Sequence, residues 1–362
     1  MTDLAKFFNM LKPYAVQNTD SKGRRHMEVL DDERTPFQLD RDRILHSRAW
    51  RRMEGKTQVF VVGYGDHYRN RMTHSLEVAQ ISRDLARWLG LNEDLAESIA
   101  LAHDLGHTPF GHAGEHALNE CLQAQGLSFE HNEQSRRTVE ELELVYPNFP
   151  GLNLSLEVIE GLMKHHTSWD NPVGGDSIQP SIEAQVVNLA DEIAYQNHDI
   201  DDGLRSELFT EKDLREVSLW EQAREEVNYK YGELNDEKIR RSRIISHMMS
   251  LMIKDVHDET ERRLSLNKIN NLEDVYTCKE ALVDFSTEMR SHNTQLKEFL
   301  MNRLYFHPEV SGLSQQGQKI IHALYQHYLS QGMEPAALKD YLAGMTDRFA
   351  EFQVKELGGL QL

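Results

Sequence analysis

Residues 103–115, HDLGHTPFGHAGE, place three histidines, an aspartate and a glutamate within a short segment of the chain. Imidazoles and carboxylates at this density suit a metal centre that carries its own proton-transfer groups. A His-Asp pair alone is weak evidence, because the 362-residue chain contains 18 histidines and the pair occurs at two other places. The residues around this pair therefore decide whether it belongs to a site.

Four residues form a candidate ligand set for a metal: His74, His103, Asp104 and Asp191. His74 and His103 each fall on the apolar stripe of a predicted helix, where a lone histidine is more often a core residue than a ligand. Asp191 shares an apolar helix face, and a buried carboxylate needs a cation or hydrogen-bond donors. This mixed set suits Mn, Fe, Co, Ni, Zn or, less ideally, Mg, and leaves positions open for water and a substrate oxygen.

His112 and Glu115 are candidates for proton transfer. They lie at i and i+3 of one predicted helix, so the carboxylate can orient the imidazole in a dyad. The alternative interpretation is an exposed helix pair without a catalytic role.

Helical periodicity dominates the elements that must position these residues. We predict a helix capped by Thr73, and others over about 95–106, 111–125, 130–145 and 181–199, the last buried on several sides. A long charged helical stretch at 211–266 and shorter helices follow. The best strand candidate is TQVFVVGY (57–64). The expected fold is all-α, with residues 1–362 forming a single unit. It has a helical core at 50–205 and a helical C-terminal elaboration at 206–362.

Composition narrows the function classes. The net charge of −19 argues against a surface that generally attracts nucleic acid or anionic lipid. We find no apolar run long enough for a membrane span and no signal peptide. Cys121 and Cys278 are too few to cross-link a fold of this size and are expected to be reduced thiols. The sequence thus predicts a cytoplasmic protein without membrane association.

The order His74, His103-Asp104, Asp191 on separate helices resembles the HD superfamily of metal-dependent phosphohydrolases. The chain lacks the Gly-Tyr-Pro signature of cyclic-dinucleotide phosphodiesterases, and it has His107-Thr108 where alarmone hydrolases carry Glu-Asp. It is most similar to the dGTPase branch, the deoxynucleoside triphosphate triphosphohydrolases. The matching segments run in order through nearly the whole chain: RRMEGKTQVF (51–60), NRMTHSLEVAQ (70–80), HDLGHTPFGHAGE (103–115), FEHNEQS (129–135), LADEIAYQNHDIDDGLR (189–205) and AGMTDRFA (343–350).

The resemblance implies hydrolysis of dGTP or several dNTPs to a deoxynucleoside and inorganic triphosphate, by attack of water on the α-phosphorus. It places His112 and Glu115 at the catalytic histidine and acidic positions, with His112 acting as acid or base. His107 and His131 match further active-site histidines that contact phosphate or relay protons. The implied cofactor is a divalent ion, Mg or Mn for activity, with Fe, Co, Ni or Zn also compatible with the site.

Five residues are candidate substrate contacts. Asp199 and Tyr195 follow Asp191 at a helical spacing that puts all three on one face. The resemblance matches Gln58, Tyr195 and Asp199 to sugar contacts and Arg71 to a phosphate contact. Lys164 would add charge for the triphosphate. The alternatives are core packing for Tyr195 and a solvated lysine for Lys164.

The resemblance also implies homo-oligomers, often hexamers, with allosteric sites for a nucleotide or single-stranded DNA. Two other classes stay open: an HD-type nucleotidase or phosphodiesterase acting on other nucleotides, and a regulatory HD protein that responds to nucleotide or single-stranded DNA. The sequence leaves undetermined the preferred nucleobase, the physiological metal, the subunit count and the need for an activator.

Overall fold

The computed structural model describes residues 11–29, 33–58, 68–163 and 179–358. Throughout these ranges the regular elements are helices, which confirms the all-α prediction. The α-helices are α1 (Pro36–Leu45), α2 (Arg48–Arg52), α3 (Arg71–Leu89), α4 (Glu93–Ala102), α5 (Gly111–Gln123), α6 (His131–Arg137), α7 (Leu156–Met163), α8 (Ile182–Arg205), α9 (Ser218–Tyr231), α10 (Glu237–Leu266), α11 (Leu272–Thr277), α12 (Thr287–Leu300), α13 (Pro308–Ser330), α14 (Pro335–Ala343) and α15 (Asp347–Glu356). Two π-helical turns follow α6 and α12, at Thr138–Leu142 and Met301–Tyr305.

The start of α3 differs from the predicted one. Asn70 is the N-cap, because its side chain accepts a hydrogen bond from the Thr73 backbone N–H at 2.9 Å. The Thr73 hydroxyl in turn accepts from the Asn70 backbone N–H at 3.1 Å, which completes a capping box. Thr73 was therefore the wrong cap, and the helix begins early enough to include Arg71.

Helix α8 runs through the centre of the molecule. Nearly every residue from Ile182 to Leu204 is buried, which confirms the prediction of burial on several sides. The helix extends six residues beyond the predicted end at Asp199. It packs against α3 and α4, and these three helices bring the candidate metal ligands together.

The buried apolar side chains form two clusters. The first extends from Tyr14 to Val310 and includes the inward faces of α3, α4, α8 and α10. The second joins α5 to the C-terminal helices α13, α14 and α15, and Phe110 belongs to it. The first cluster therefore includes side chains from both sides of residue 205, and the division into core and elaboration stays a prediction.

Other predicted elements are shorter or divided. The stretch predicted as helix at 130–145 ends at Leu142, and the charged stretch at 211–266 is interrupted between α9 and α10. Thr57 forms an isolated bridge with Asn70, while residues 59–64 of the predicted strand lie outside the described residues. Among the described helices, none is long and apolar enough to cross a membrane.

Candidate active site

Three helices bring the predicted metal ligands together. His74 lies in the second turn of α3, His103 and Asp104 directly follow α4, and Asp191 lies in the middle of α8. All four are at most 8% exposed. His74 Nε2 lies 2.8 Å from Asp191 Oδ1, and His103 Nε2 lies 3.3 Å from Asp104 Oδ1 and 3.7 Å from Asp191 Oδ1. We call these four residues the metal cluster.

The donor chemistry of the metal cluster fits a divalent cation. Nδ1 of His103 lies 2.6 Å from the carbonyl oxygen of Ala100, which can only accept, so the ring proton belongs on Nδ1. The lone pair of Nε2 then faces the two carboxylates. The ligand atoms of His74, His103 and Asp104 lie within 4.8 Å of one another. This set of two imidazoles and two carboxylates suits several divalent ions and does not select one.

His198 supports His74 from behind, a role that the sequence reasoning missed. The Nδ1 atoms of the two rings are 3.4 Å apart, and His198 Nε2 contacts the Glu77 carboxylate. A proton on His198 Nε2 is held by Glu77, so His198 Nδ1 accepts from His74 Nδ1. Nε2 of His74 is then left with a lone pair for a metal. The available signal was a second His-Asp pair, His198-Asp199, two turns after Asp191 on α8.

A second group of titratable residues adjoins the metal cluster: His107, His112, Glu115 and His131, which we call the histidine–glutamate cluster. His131 Nδ1 lies 3.0 Å from Glu115 Oε1, and the rings of His107 and His131 stack with centroids 4.0 Å apart. His107 Nε2 lies 3.2 Å from Asp104 Oδ1, so this contact joins the two clusters.

Gly106 explains how α6 comes close enough to supply His131. A Cβ atom at Gly106 would lie 2.4 Å from the His131 carbonyl oxygen and 2.1 Å from the Ser135 backbone nitrogen. Any larger residue would therefore push α6 away. Gly106 N–H also donates to the Ser135 hydroxyl at 2.9 Å, which fixes the two segments together.

The predicted pairing of His112 with Glu115 is wrong. Glu115 Oε1 is bound by His131, and the buried Oε2 atom has no hydrogen-bond partner among the described residues. Although His112 and Glu115 are i and i+3 on α5, Glu115 points inward to α6 while His112 is open to solvent at the mouth of the site. The ring centroids of His112 and His107 are 5.6 Å apart, so His112 stays at the edge of the cluster.

The histidine–glutamate cluster contains one charged pair and two neutral rings. Burial opposes both charges of the pair, but the hydrogen bond and mutual attraction outweigh it. They lower the pKa of Glu115 to about 2 and raise that of His131 to about 9. Burial and the positive charge of Arg71 lower the pKa of His107 well below its usual value. Burial among neighbouring groups and the positive charge of Arg71 also lower the pKa of His112, although the residue is exposed to solvent.

Arg71 lies between the two clusters. It is 1% exposed, and its Nη1 donates to Asp104 Oδ2 at 2.8 Å. Its Nε and Nη2 donors are buried and have no hydrogen-bond partner among the described residues. A guanidinium with two adjacent free donors is suited to bidentate binding of a phosphate.

The predicted sugar contacts follow the metal cluster along α8. Tyr195 and Asp199 are buried one and two turns after Asp191. Burial raises the pKa of Asp199 to about 7, although the Tyr305 hydroxyl donates a hydrogen bond to its carboxylate. Tyr305 lies in the π-helical turn after α12, more than 100 positions away, and no local sequence pattern marked it.

The other two predicted substrate contacts are less defined. Gln58 is half-buried beside the loop that starts α5: its carbonyl oxygen lies 3.5 Å from where a Cβ of Gly111 would be. Lys164 lies outside the described residues, so the structure does not place it.

Comparison with known proteins identifies the class to which this fold and site belong. Residues 71–196 match the HD domain family, and this range contains all four residues of the metal cluster. Residues 283–356, from the loop before α12 into α15, match the family described as phosphohydrolase-associated domain.

Relatives of nearly the same length define the family more narrowly. A deoxyguanosinetriphosphate triphosphohydrolase-like protein of Geobacter sulfurreducens is 45% identical, over 96% of this chain and 94% of its own length. Proteins of the same description from Bordetella pertussis and Thiobacillus denitrificans are 46% and 45% identical, with 94% of each relative covered. The chain therefore belongs to the deoxyguanosinetriphosphate triphosphohydrolase-like family of HD-domain hydrolases.

Proposed function

We propose that this protein is a metal-dependent deoxynucleoside triphosphate triphosphohydrolase. It cleaves dGTP or several dNTPs to a deoxynucleoside and inorganic triphosphate, by attack of water on the α-phosphorus. The observation that carries the proposal is the buried Arg71 guanidinium beside both clusters, which is bound to Asp104 and has two donors without a hydrogen-bond partner among the described residues. A buried cation with free donors next to a metal cluster fits a phosphate group in the position where hydrolysis would occur.

The metal cluster holds Mg or Mn for activity in this proposal, and its donors also accept Fe, Co, Ni or Zn. When bound by these residues, the ion would supply positive charge that polarises a phosphate oxygen and lowers the pKa of nearby water. Arg71 orients the phosphate, so that only one phosphorus atom faces the attacking water.

His112 is the proposed proton-transfer residue. Its lowered pKa makes it neutral at neutral pH, so it can accept a proton during the attack of water at the scissile bond. The ionised Glu115–His131 pair keeps a proton near His112. In this proposal His107 and His131 contact phosphate or relay protons. In this mechanism Glu115 acts on His112 by its charge rather than by a direct hydrogen bond.

The deoxyribose is proposed to lie along α8. Tyr195 and Asp199 would meet the 3′-hydroxyl, and the Tyr195 ring would pack against C2′, where it excludes a ribonucleotide's 2′-hydroxyl. Gln58 would contact the sugar from the other side, and Lys164 would add charge for the triphosphate. The position of Tyr195 and Asp199 directly after Asp191 on one buried helix supports this assignment.

We also propose assembly into homo-oligomers, often hexamers in the family that the sequence resembles. Control by a nucleotide or single-stranded DNA belongs to the same proposal.

Product identification tests the activity. Purified protein is incubated with each dNTP and each NTP separately, with Mg or Mn, and the products are separated by chromatography. The proposal expects deoxynucleoside and inorganic triphosphate from at least one dNTP, and slower turnover of the matching NTP. Release of triphosphate from no nucleotide, with effectors supplied, would reject the proposal. Hydrolysis of nucleoside monophosphates, supplied in parallel reactions, would instead indicate a nucleotidase.

A substitution at His112 tests the mechanism. His112→Ala should lower turnover by about 100- to 1,000-fold, the usual contribution of a general acid or base, while metal content stays unchanged. His116→Ala is the matched control, because His116 lies one turn later on α5, is exposed, and pairs with the exposed Glu120. Equal turnover in both variants would remove His112 from the mechanism.

A further inference from the structure

The loop that connects Asp104 of the metal cluster to α5 has an unusual backbone conformation. We call residues 107–112, the loop together with the first two residues of α5, the catalytic loop, since they include His107 and His112. Phe110 in its middle has a φ of 62°, in the left-handed region that bulky residues rarely adopt. Such a conformation persists only where the surroundings hold it. The contacts of Phe110 therefore show what determines the shape of the loop.

The backbone of Phe110 is held by Asp347, the first residue of α15. Asp347 Oδ1 accepts from the Phe110 backbone N–H at 2.9 Å, across 237 positions of sequence. Oδ2 accepts from the backbone N–H of Thr57 at 3.0 Å and from the Thr57 hydroxyl. The carboxylate is 1% exposed, so solvent does not compete for these bonds. One side chain thus fixes the catalytic loop against the segment that carries Gln58.

The side chain of Phe110 is held by α13. A Cβ atom at Gly317 would lie 2.6 Å from Phe110 Cβ and 2.7 Å from its Cγ. Gly317 therefore leaves the space that the phenylalanine occupies, and Phe110 joins the apolar cluster of α13, α14 and α15. These contacts come from the half of the chain that contains neither the metal cluster nor the catalytic loop.

A third connection lies at the start of the loop. The buried Lys56 ammonium donates to the carbonyl oxygen of His107 and, at 2.9 Å, to that of Ala343 at the end of α14. The catalytic loop is thus attached to the C-terminal helices at both His107 and Phe110. The metal cluster, by contrast, is positioned by α3, α4 and α8.

We propose that Asp347 and Gly317 are positioning residues for the reaction: through Phe110, the C-terminal helices set the conformation of the catalytic loop and hence the placement of His107 and His112. The inference rests on the proposed function of that loop. It assigns to the C-terminal helices control of turnover that is separate from metal binding.

A matched pair of glycine substitutions on α13 tests this assignment. Gly317→Ala places a methyl group against Phe110, whereas Gly312→Ala meets no atom within 4 Å. Both changes raise helix propensity equally. We expect Gly317→Ala to lower kcat by about 10- to 100-fold, as when catalytic groups are displaced by about 1 Å. Gly312→Ala should keep the wild-type kcat. Equal kcat values for the two variants would overturn the proposal.

A second pair tests the carboxylate. Asp347→Asn keeps the shape of the side chain but turns one acceptor into a donor that faces the Thr57 N–H. Asp340→Asn is the control, because Asp340 of α14 also joins the C-terminal helices to the core, through Arg137 and Gln134, without contacting the catalytic loop. We expect Asp347→Asn to lower kcat with little change in KM, while Asp340→Asn changes thermal stability and leaves kcat within about twofold.

Two readouts separate positioning from general damage and from failure of the proposed function. Mn affinity, measured by calorimetry without nucleotide, should stay within about twofold of wild type in Gly317→Ala and Asp347→Asn. Hydrogen exchange at the Phe110 amide should become faster in both. Loss of Mn affinity in parallel with kcat, or unchanged exchange at Phe110, would overturn the positioning role. If wild-type protein hydrolyses no nucleotide, the proposed function fails, yet exchange and affinity still decide whether these residues hold the loop.

Discussion

The metal cluster and the histidine–glutamate cluster adjoin each other but are built differently. The metal cluster is supplied by α3, α4 and α8, which pack within one apolar cluster. The histidine–glutamate cluster lies on the catalytic loop, in the second turn of α5 and at the start of α6, and the loop is attached to α13, α14 and α15. Helices inside a packed core hold side chains more rigidly than a loop does. The loop thus needs contacts from distant segments to reach comparable order.

The difference separates two tasks of a hydrolase. A metal cluster has to keep four donors at fixed distances whether or not substrate is present, and packed helices suit this task. A proton-transfer group has to meet the substrate, and His112, which we propose for this task, is exposed to solvent. The comparison predicts that changes in the first cluster affect metal binding, while changes in the second affect turnover.

The largest effect is expected from Asp191→Ala. Removing this carboxylate takes one donor from the metal cluster, so metal affinity should collapse and turnover should fall by on the order of 10³-fold. Asp201→Ala, on the same helix, is the control, since Asp201 pairs with Arg69 and Arg205 outside the cluster. Metal content by plasma mass spectrometry and turnover are measured on both. A variant that keeps its metal would show that Asp191 is not a ligand.

A smaller effect is expected from His198→Gln. Without the ring that accepts from His74 Nδ1, the His74 tautomer is no longer determined, and metal affinity should weaken by about 10- to 100-fold. His257→Gln alters another His-Asp pair, on α10, and should leave affinity unchanged. Calorimetric titration with Mn checks both variants. If His198→Gln lowered kcat but kept its affinity for Mn, the two clusters would not have the separate tasks described above.

The smallest effect concerns the pH dependence of stability. Glu115 raises the pKa of His131 from 6.5 to about 9, so the pair's contribution is fully present below pH 6.5 and is lost as pH rises through 9. The unfolding free energy of metal-free protein should therefore decrease over this interval, and His131→Gln should reduce the decrease by on the order of 1 kcal/mol.

Urea denaturation at pH 6, 7.5 and 9 measures this change. His116→Gln is the control and should keep the wild-type slope, because His116 is exposed. If the unfolding free energy of His131→Gln decreased with pH as steeply as that of the wild type, the Glu115–His131 pair would not stabilise the histidine–glutamate cluster. At the acidic end, the pKa of Glu115 is lowered from 4.5 to about 2, so the pair's contribution is fully present above pH 4.5 and is lost as the pH falls through 2.

Much of the fold and of the metal cluster could be predicted, because both follow from helix register. The apolar stripe of α3 places His74 inward, and that of α8 places Asp191 inward, whatever the rest of the chain does. The predictions failed where local rules compete. At the start of α3, Asn70 and Thr73 are both good capping residues, and only the backbone bonds decide between them.

Contacts between distant segments were beyond the sequence patterns. The i, i+3 spacing of His112 and Glu115 allowed a dyad, but it could not show that α6 would bring His131 to Glu115 instead. Tyr305 reaches the site through packing, and no local sequence pattern marks it. The His198-Asp199 pair was visible in the sequence, but it could not show that His198 would meet His74.

The sequence by itself determined which residue types lie on which helix face, since a period of 3.6 residues converts spacing into direction. From this came the all-α fold, the inward position of the candidate metal ligands and the shared face of Asp191, Tyr195 and Asp199. Only the tertiary structure decided which faces meet. Helix packing decides whether His131 or His112 binds Glu115. It also decides whether Asp347 holds Phe110, although these two residues are more than 200 positions apart in the sequence. Such contacts follow from the folding of the whole chain, and no local spacing encodes them.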